Sequence, residues 1–351
     1  MNSYQHAPAG ILVIMSPKIT NLVPMLFSFS ATPDFDFLTQ FARHIDSPVD
    51  HDLLIIPEHL GEGYIRRLSF GPAFKITLHR YTLREDLIIK RNSSGMGNKL
   101  ITIFFYNNEQ ALGIAFNDDP LVLFSQRDDA AIQVTSNDLS STIRFPANHH
   151  IHYVVVAISP AELRSLLATD ETNSVLSTIT GDGNSFLFFE SMTAETKLLL
   201  KQLTAVDLNA KLSQFYMQIK VQELLYLLFH KLASRESSKH QSINSADAER
   251  LLHIRNELLS DLSVPPVLSE LAQIAAMSET KLKQLFKQTF GDTVYNYYQR
   301  ARMEEAAFLL KQGRRSVAEV GYTLGFSNLS HFSRLFEKHY GLGPKKFSAS
   351  L

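Results

Sequence analysis

Two short segments in the C-terminal third of the chain carry polar side chains that could contact nucleic acid. The side chains are Thr280, Lys281, Lys283, Gln284 and Lys287 in the first segment and Ser330, His331, Ser333 and Arg334 in the second. Arginine pairs well with guanine O6 and N7, glutamine pairs with adenine N6 and N7, and lysine attracts phosphate. Each of these side chains taken singly is typical of a solvated surface. Their occurrence together in two similar segments predicts that all nine bind DNA.

The two segments are copies of one structural unit. Residues 270–272 correspond to 319–321 and residues 276–278 to 325–327, after which the spacing shifts by one residue. Each copy has the pattern of a helix with a small residue, a turn, and a second helix that begins at a capping serine or asparagine. The sequence therefore predicts two helix-turn-helix units, each with a polar face left free by its apolar core.

A single long helix is predicted to connect the two units. Asp292 can cap its start and Gly313 can end it, which gives a helix of about 20 residues and roughly 30 Å. Successive major-groove faces of B-DNA lie roughly 34 Å apart. One chain could therefore place both polar faces in adjacent major-groove segments of double-stranded DNA.

The charge distribution agrees with a nucleic-acid partner. Residues 249–351 contain 14 Lys+Arg and 10 Asp+Glu, whereas residues 1–248 contain 20 and 25. The C-terminal part is therefore basic, which favours phosphate binding to a modest degree. The chain has no cysteine, which excludes disulfides and thiolate catalysis. Its apolar runs are too short to span a bilayer, so a cytoplasmic protein without membrane contact is expected.

The N-terminal part has the pattern of a β-rich domain. Short segments rich in β-branched and aromatic residues predict strands at 64–70, 74–82, 100–106, 111–116, 122–126, 132–136 and 140–145. Many short strands at this spacing indicate an antiparallel sandwich or barrel, and a barrel can enclose a ligand. The predicted fold class is α+β with several domains: a cupin-like β-barrel with a helical extension, then an all-α domain.

Helical patterns begin at Ser159, which can form a capping box with Glu162. Thr193 can open another helix, and residues 208–233 predict a long amphipathic helix that either packs on the barrel or mediates a homodimer. Residues 235–247 have the composition of a linker. The predicted domains are 1–158 for effector binding, 159–234 for coupling or dimerisation, 235–247 as linker and 248–351 for DNA binding.

The histidines His149, His150 and His152 raise the alternative of a metal-dependent cupin-like enzyme. Such a site usually needs a carboxylate beside its imidazoles, and the local sequence NHHIHYVVV contains none. The chain also lacks a G-x-S-x-G elbow, a P-loop and a dinucleotide-binding fingerprint. Structural or solvent-exposed histidines are therefore favoured, and no catalytic residue, metal ligand or cofactor is predicted. A ligand-binding protein with a helical adaptor domain is a further alternative.

Residues 249–351 resemble the AraC/XylS family of bacterial transcription regulators. The resemblance rests on LAQIAAMSETKLKQLFKQTFG, YYQRARMEEAAFLL and VGYTLGFSNLSHFSRLFEKHYGLGPKKF, which follow the family pattern in order. It implies two helix-turn-helix units joined by a long helix, and a regulator rather than an enzyme. The base-reading positions that it implies are Thr280, Lys283, Gln284, Ser330, His331 and Arg334.

The resemblance also implies partners. The stretch IPEHLGEGYIRRLSF, with MSETKLKQLFKQTFG, is similar to a subgroup that senses siderophores of the pyochelin type. The implied partners are double-stranded DNA, a small-molecule effector in the barrel with a siderophore as one candidate, and RNA polymerase. A homodimer through residues 208–233 would be compatible with them. Activation is the favoured direction of regulation, and no residue is assigned to the effector.

Overall fold

The computed structural model describes residues 24–93, 95, 99–108, 130–168, 173–181, 183, 185–206, 210–235 and 240–350, and the backbone of two further strands at 112–116 and 122–124. The chain forms two compact units. The larger compact unit contains residues 24–253 and 268–294, and the smaller contains residues 254–267 and 295–351. The predicted DNA-binding domain, 248–351, is therefore divided between them, and the first helix-turn-helix unit lies in the larger one.

Twelve strands in the described residues form two sheets in the larger compact unit. The strands are β1 Met25–Ser30, β2 Leu53–Ile55, β3 Gly61–Ser69, β4 Phe74–Leu83, β5 Leu87–Asn92, β6 Ile101–Tyr106, β7 Leu112–Phe116, β8 Val122–Phe124, β9 Ile132–Ser136, β10 Ser141–Phe145, β11 Ile151–Ile158 and β12 Leu187–Glu190. The sheet orders are β1-β5-β10-β7-β8 and β12-β9-β6-β11-β4-β3-β2. All seven predicted strands are present, as β3, β4 and β6 to β10. The pairing is antiparallel except that β1 runs parallel to β5.

The seven-stranded sheet is buried on both faces. Along β11, Tyr153, Val155 and Ala157 line a cavity between the two sheets, whereas Val154 and Val156 on the opposite face join an apolar core with the helices. Alternation along one strand therefore divides the sheet into a face for the cavity and a face for the helical layer. This arrangement explains why the strand is almost continuously apolar.

Helices α1 to α5 complete this part of the larger unit. They are α1 Phe37–His44, α2 Pro160–Leu167, α3 Ser174–Thr180, α4 Ala194–Thr204 and α5 Ser213–Ala233. Ser159 caps α2 and Thr193 caps α4, as predicted. The long predicted helix begins at Ser213 because Leu212 has a φ of 66°, which a right-handed helix excludes. Residue 208 lies outside the described residues.

The region 159–234 is not wholly helical, which corrects the predicted description of it. Its β12 strand pairs with β9 and extends the larger sheet. The predicted linker also contains structure: α6 begins at Ser245, and Ile243 is buried. Among the described residues, none of the helices has both the length and the apolar composition that a membrane span requires.

The remaining helices carry the two repeated units and their connector. They are α6 Ser245–Ser260, α7 Leu268–Ile274, α8 Glu279–Phe290, α9 Val294–Lys311, α10 Val317–Thr323, α11 Leu329–Tyr340 and α12 Pro344–Ala349. The connector α9 has 18 residues, close to the predicted length, and Gly313 follows it with a φ of 66°. In the smaller unit, apolar side chains of α9 form one core with Val320, Phe332 and Phe336.

Candidate nucleic-acid interface

The first helix-turn-helix unit consists of α7 and α8. Ser278 caps α8, because its side-chain oxygen accepts a hydrogen bond from the backbone nitrogen of Lys281 at 3.2 Å. The turn before it contains Ala276 at a φ of 48°, in a left-handed conformation that alanine rarely adopts. The buried side of α8 consists of Leu282, Leu285, Phe286, Thr289 and Phe290.

In the second unit, which consists of α10 and α11, a side chain caps the start of each helix. Ser316 and Glu319 form a capping box, with bonds of 3.2 Å and 2.7 Å. Asn328 caps α11 by accepting hydrogen bonds from the backbone nitrogens of Ser330 at 3.0 Å and His331 at 3.1 Å. These caps fix where the polar face of α11 starts.

The backbone confirms that the two units are copies. The turn residue is left-handed in both, Ala276 in the first and Gly325 in the second. Each second helix also ends at a left-handed glycine, Gly291 at a φ of 77° and Gly341 at 72°. The correspondence predicted from sequence therefore extends to individual backbone conformations.

Two glycines of the second unit allow close packing. A Cβ atom at Gly321 would lie 2.6 Å from the side chain of Leu329, so α10 and α11 approach each other closely at this position. A Cβ atom at Gly325 would lie 1.8 Å from the backbone oxygen of Ser263. Gly325 is therefore required for close approach as well as for its left-handed conformation.

The predicted residues of α11 form one polar surface, which we call the second recognition face: Ser330, His331, Ser333 and Arg334. Ser330, His331 and Arg334 are exposed and Ser333 is half-buried. Within the described residues, the side chains of these four form no hydrogen bond or ion pair; the imidazole of His331 lies 6.0 Å from the ring of Phe326. Their donors and acceptors are thus available to a partner.

The predicted residues of α8 form the first recognition face: Thr280, Lys281, Lys283, Gln284 and Lys287. Thr280, Lys283 and Gln284 are exposed, and the two other lysines are half-buried. Lys281 and Gln284 have close partners within the chain, and Lys283 forms a longer, 3.7 Å ion pair with Glu279. The Lys281 amine lies 2.9 Å from the carboxylate of Asp247, and the amide oxygen of Gln284 accepts a hydrogen bond of 2.7 Å from Gln241.

Arg235, which the sequence places in the linker, joins α8 to the sheet. Its Nε donates to Glu190 at 2.7 Å, and its Nη1 donates to the backbone oxygen of Gln288 in α8 at 2.8 Å. Glu190 also pairs with the Lys231 amine at 2.8 Å. The ring of Phe290 stacks on Phe189 of β12 at 5.4 Å. No local sequence signal identifies Arg235, because all its partners are distant along the chain.

Arg302 has a comparable supporting role in the smaller unit. It is buried on α9, its Nε donates to the backbone oxygen of Leu324 at 3.2 Å, and its guanidinium lies 3.7 Å from the ring centre of Phe326. It therefore holds the residues on both sides of Gly325. On the same helix, burial raises the pKa of Glu305 to about 7, although nearby Arg315 opposes the shift.

The cavity between the two sheets is a candidate ligand site. It has a volume of about 90 Å³ and receives side chains from both sheets and from the residues before α1. Its walls include the stacked rings of His79 and Tyr153, whose centres are 4.1 Å apart. Burial, with a smaller contribution from His152, lowers the pKa of His79 to about 3, so this imidazole is neutral at pH 7.

The three histidines near the start of β11 are not among the residues that line this cavity. The Nδ1 atom of His149 lies 2.7 Å from the backbone oxygen of Ala147, and that of His150 lies 2.8 Å from the Thr82 hydroxyl. His152 contacts the Asn107 amide at 3.2 Å. Over the described part of the chain, no three His, Cys, Asp or Glu side chains are grouped as metal ligands would be.

Family comparisons match both parts of the chain. The family described as the regulatory protein PchR N-terminal domain matches residues 61–244, more than half of the chain. A helix-turn-helix domain family matches residues 271–350, which include both recognition faces.

Individual relatives are also transcription regulators. An uncharacterized HTH-type transcriptional regulator of Haemophilus influenzae is 29% identical over 36% of this chain and 43% of its own length. The arabinose operon regulatory protein of Escherichia coli K12 is 30% identical over 35% of this chain and 41% of its own. The Msm operon regulatory protein of Streptococcus mutans is 24% identical over 87% and 93%, respectively. The chain thus covers less than half the length of the first two relatives.

Proposed function

The chain belongs to the AraC family of transcriptional regulators and carries a PchR-type N-terminal domain, and from this premise we propose that it binds double-stranded DNA through both recognition faces under the control of a small-molecule effector. The observation that carries this proposal is the duplicated scaffold, which presents nine polar side chains on two equivalent helices. An α-helix fits the major groove, where such side chains reach base edges.

The two faces contribute differently to DNA binding. Arg334 is exposed and suited to a guanine, and Gln284 is suited to an adenine. Lys283 is exposed near the start of α8 and forms only a 3.7 Å ion pair with Glu279, so we assign it to a phosphate. Lys281 is paired with Asp247, which makes it a weaker contributor than its position alone suggests.

The effector is proposed to bind in the cavity between the sheets. A siderophore is one candidate for its identity, because the N-terminal domain is of the PchR type. Arg235 supplies a route from this domain to DNA, since it bonds both Glu190 of β12 and the backbone of α8. An effector that favours one arrangement of these bonds would shift the population of DNA-binding states.

A homodimer through α5 is proposed as the assembly. Five exposed residues of α5 recur in steps of three and four, as the seam of a coiled coil does: Tyr216, Ile219, Glu223, Tyr226 and His230. The opposite side of α5 is buried in the core against the sheet. Both predicted roles of this helix, packing on the sheet and dimerisation, are therefore compatible, with one face for each.

Regulation is proposed to be activation through RNA polymerase. The proposal rests on membership of the family and on relatives described as operon regulators. The action requires binding and a change of state, with no catalytic step. A reporter strain with and without the gene would show reduced transcription of target genes after deletion, whereas increased transcription would make the protein a repressor.

The deciding experiment is genome-wide occupancy in the native host, followed by salt-dependent binding of the purified chain to the best site. We expect two motif blocks about one helical turn apart. Lys283→Ala should reduce the slope of log K against log salt by about 1. Arg43→Ala, which removes an exposed arginine from α1, is the matched control and should leave binding unchanged. No preference for any site over random duplex would refute the proposal.

A further inference from the structure

A buried arginine in the cavity between the sheets lacks a partner for its charge. Arg91 lies on the inward face of β5 beside Ile89 and is only 5% exposed. Its Nη2 makes one long contact, 3.5 Å, with the hydroxyl of Thr135. Its Nε and Nη1 atoms are buried and have no hydrogen-bond partner within the described residues. Buried guanidinium donors are normally satisfied, so this side chain requires an explanation.

The other charges of the cavity are already compensated. Arg67 donates to Asp36 at 2.7 Å and to Asp52 at 2.8 Å, and the Lys75 amine lies 3.9 Å from Asp36. Asp52 lies outside the lining, and with it these two cations are paired with two carboxylates. Arg91 is the lining cation that has no ion-pair partner within the described residues, and an occupant with one negative charge would supply that partner.

The acidic groups nearest to Arg91 form no ion pair with it. Asp138 attracts it only through space: one Asp138 oxygen is engaged by the hydroxyl of Ser185, and the other is buried without a hydrogen-bond partner within the described residues. Arg91, Thr135 and Glu249 also line a second small cavity, in which Glu249 forms no ion pair with Arg91. Burial lowers the pKa of Arg91 to about 10, with Tyr106 and Asp138 opposing the shift, so the guanidinium remains charged at neutral pH.

The size and the walls of the cavity limit the rest of the occupant. Its aromatic lining includes Phe29, Phe35, Phe104, Phe145 and Tyr153. The rings of Phe29 and Phe35 stack at 4.3 Å, and those of Phe145 and Tyr153 at 5.4 Å. A volume of about 90 Å³ is well below that of a site for a drug-sized ligand, which is roughly 300 Å³ or more. Such a space suits a single ring.

We propose that the cavity binds a small aromatic carboxylate, with its ring between the phenyl groups and its carboxylate on Arg91. Charge-assisted hydrogen bonds from a guanidinium to a carboxylate are short and strong, and a planar ring stacks on aromatic walls. This inference rests on the proposed function, in which the same cavity holds the effector. It specifies the chemical class of that effector, a single-ring acid in place of the larger siderophore candidate, and the residue that selects it.

Other ligand classes fit the lining less well. A sugar would need many polar partners, whereas the walls are mainly aromatic and aliphatic. A phosphate dianion would need two cations without ion-pair partners, and among the described lining cations only Arg91 has none. An uncharged aromatic molecule would fill the space but would leave the buried guanidinium donors unsatisfied.

The test is the binding of benzoate and of benzamide, which has nearly the same shape without the charge, to the full-length chain. Isothermal titration and ligand-dependent thermal unfolding measure both compounds. Benzoate should bind at least about tenfold more tightly than benzamide and raise Tm in a saturable way. Equal binding of the two compounds, or binding of neither, would overturn the proposal.

Substitutions at Arg91 complete the test. Arg91→Met should abolish the preference for benzoate while Tm of the free protein is unchanged or raised, because removing an unpaired buried charge is seldom destabilising. Arg91→Lys keeps a cation and should retain a weaker preference. If both variants lower Tm substantially and leave benzoate binding intact, Arg91 is structural and the proposal is wrong.

Two further measurements separate this inference from the proposed function. Arg80→Met removes an exposed arginine from β4, outside the cavity, and should leave benzoate binding unchanged. DNA binding of the same preparations is measured in parallel. A chain that binds its DNA site but neither ligand would refute the carboxylate proposal alone, whereas loss of specific DNA binding in the wild-type chain would refute the regulator.

Discussion

The two helix-turn-helix units share a backbone but differ in how far their recognition faces are already engaged. In the first, Lys281 is paired with Asp247 and Gln284 is bonded to Gln241. In the second, the side chains of Ser330 and Arg334 have no such partner among the described residues. Duplication of a scaffold has thus preserved its geometry without preserving the availability of its side chains.

The turns show a second difference. The left-handed position is alanine in the first unit and glycine in the second, although both have positive φ. The glycine is required by a neighbour, because a Cβ atom there would overlap the backbone oxygen of Ser263. A repeated backbone conformation can therefore be adopted by different residues when the packing around it differs.

Substitution of the turn glycine should have the largest effect. Gly325→Ala should destabilise the smaller compact unit by more than about 3 kcal/mol, since the left-handed strain of about 1–2 kcal/mol is added to the displacement of the Ser263 backbone. Hydrogen exchange of peptides from α10 and α11 would show lost protection. Unchanged protection would mean that the two turns are equivalent.

The matched control is the reverse change in the first unit. Ala276→Gly relieves the left-handed strain at a φ of 48° and should be neutral or stabilise by up to about 1 kcal/mol. A loss of stability in that variant would contradict the argument from backbone conformation.

The two compact units should also respond oppositely to pH. His79 in the larger unit has a pKa of about 3 in the folded chain, against an ordinary value of 6.5. As pH falls from 6.5 towards 3, the unfolded chain binds a proton that the folded chain does not, so stability is lost by up to about 1.4 kcal/mol per pH unit. Glu305 in the smaller unit has a raised pKa of about 7, against an ordinary value of 4.5. Between these two pH values the folded chain keeps a proton that the unfolded chain has released, so the stability of the folded chain decreases as pH rises from 4.5 to 7.

Hydrogen exchange at several pH values, corrected for intrinsic rates, would separate the two responses. His79→Phe keeps an aromatic ring stacked on Tyr153 and should reduce the loss of stability that the sheets show as pH falls. Glu305→Gln should reduce the loss of stability that α9 and α10 show as pH rises. Parallel pH profiles for the two units in the wild-type chain would disprove the contrast.

The free recognition face should carry most of the sequence discrimination. Arg334→Ala should weaken binding to the best DNA site by about 1–3 kcal/mol and relax the preference at one base pair. Competition binding to a library of sites with single changes would measure both effects. A uniform loss across all sequences would instead assign Arg334 to a phosphate.

Much of this architecture is predictable from local patterns, and the failures have physical causes. Alternation identified β3, β4 and β6 to β10, and caps identified the starts of α2, α4, α8 and α11. The strand β5 was not predicted, since Arg91 occupies an inward position where alternation expects an apolar residue. The strand β12 is buried on both faces and therefore has no alternation to recognise.

The recognition residues were predictable because they lie on one helical segment, whereas their partners within the chain were not. Arg235, Gln241 and Asp247 are distant in sequence from α8, and nothing in their local composition indicates that they contact it. The lining of the cavity likewise combines strands far apart along the chain. Spacing describes single elements, and long-range pairing requires the fold.

The smallest effect, and the most direct measure of the contrast, is expected from releasing Gln284. The segment at Gln241 lies along α8 through three hydrogen bonds: its side chain donates to Gln284 at 2.7 Å, its backbone nitrogen donates to Gln288 at 2.9 Å, and its backbone oxygen accepts from Gln288 at 2.8 Å. Gln241→Ala removes only the first of these. The segment should therefore stay in place while Gln284 becomes available.

With Gln284 released from this bond, the Gln241→Ala chain should bind DNA up to about fivefold more tightly, which corresponds to one net hydrogen bond of about 1 kcal/mol. The gain should vanish in a Gln284→Ala background, and a double-mutant cycle measures that coupling. In an Arg334→Ala background the gain should persist, because Arg334 belongs to the second unit. If Gln241→Ala weakens DNA binding instead, the bond holds Gln284 in its reading position, and the first face is prearranged rather than occupied.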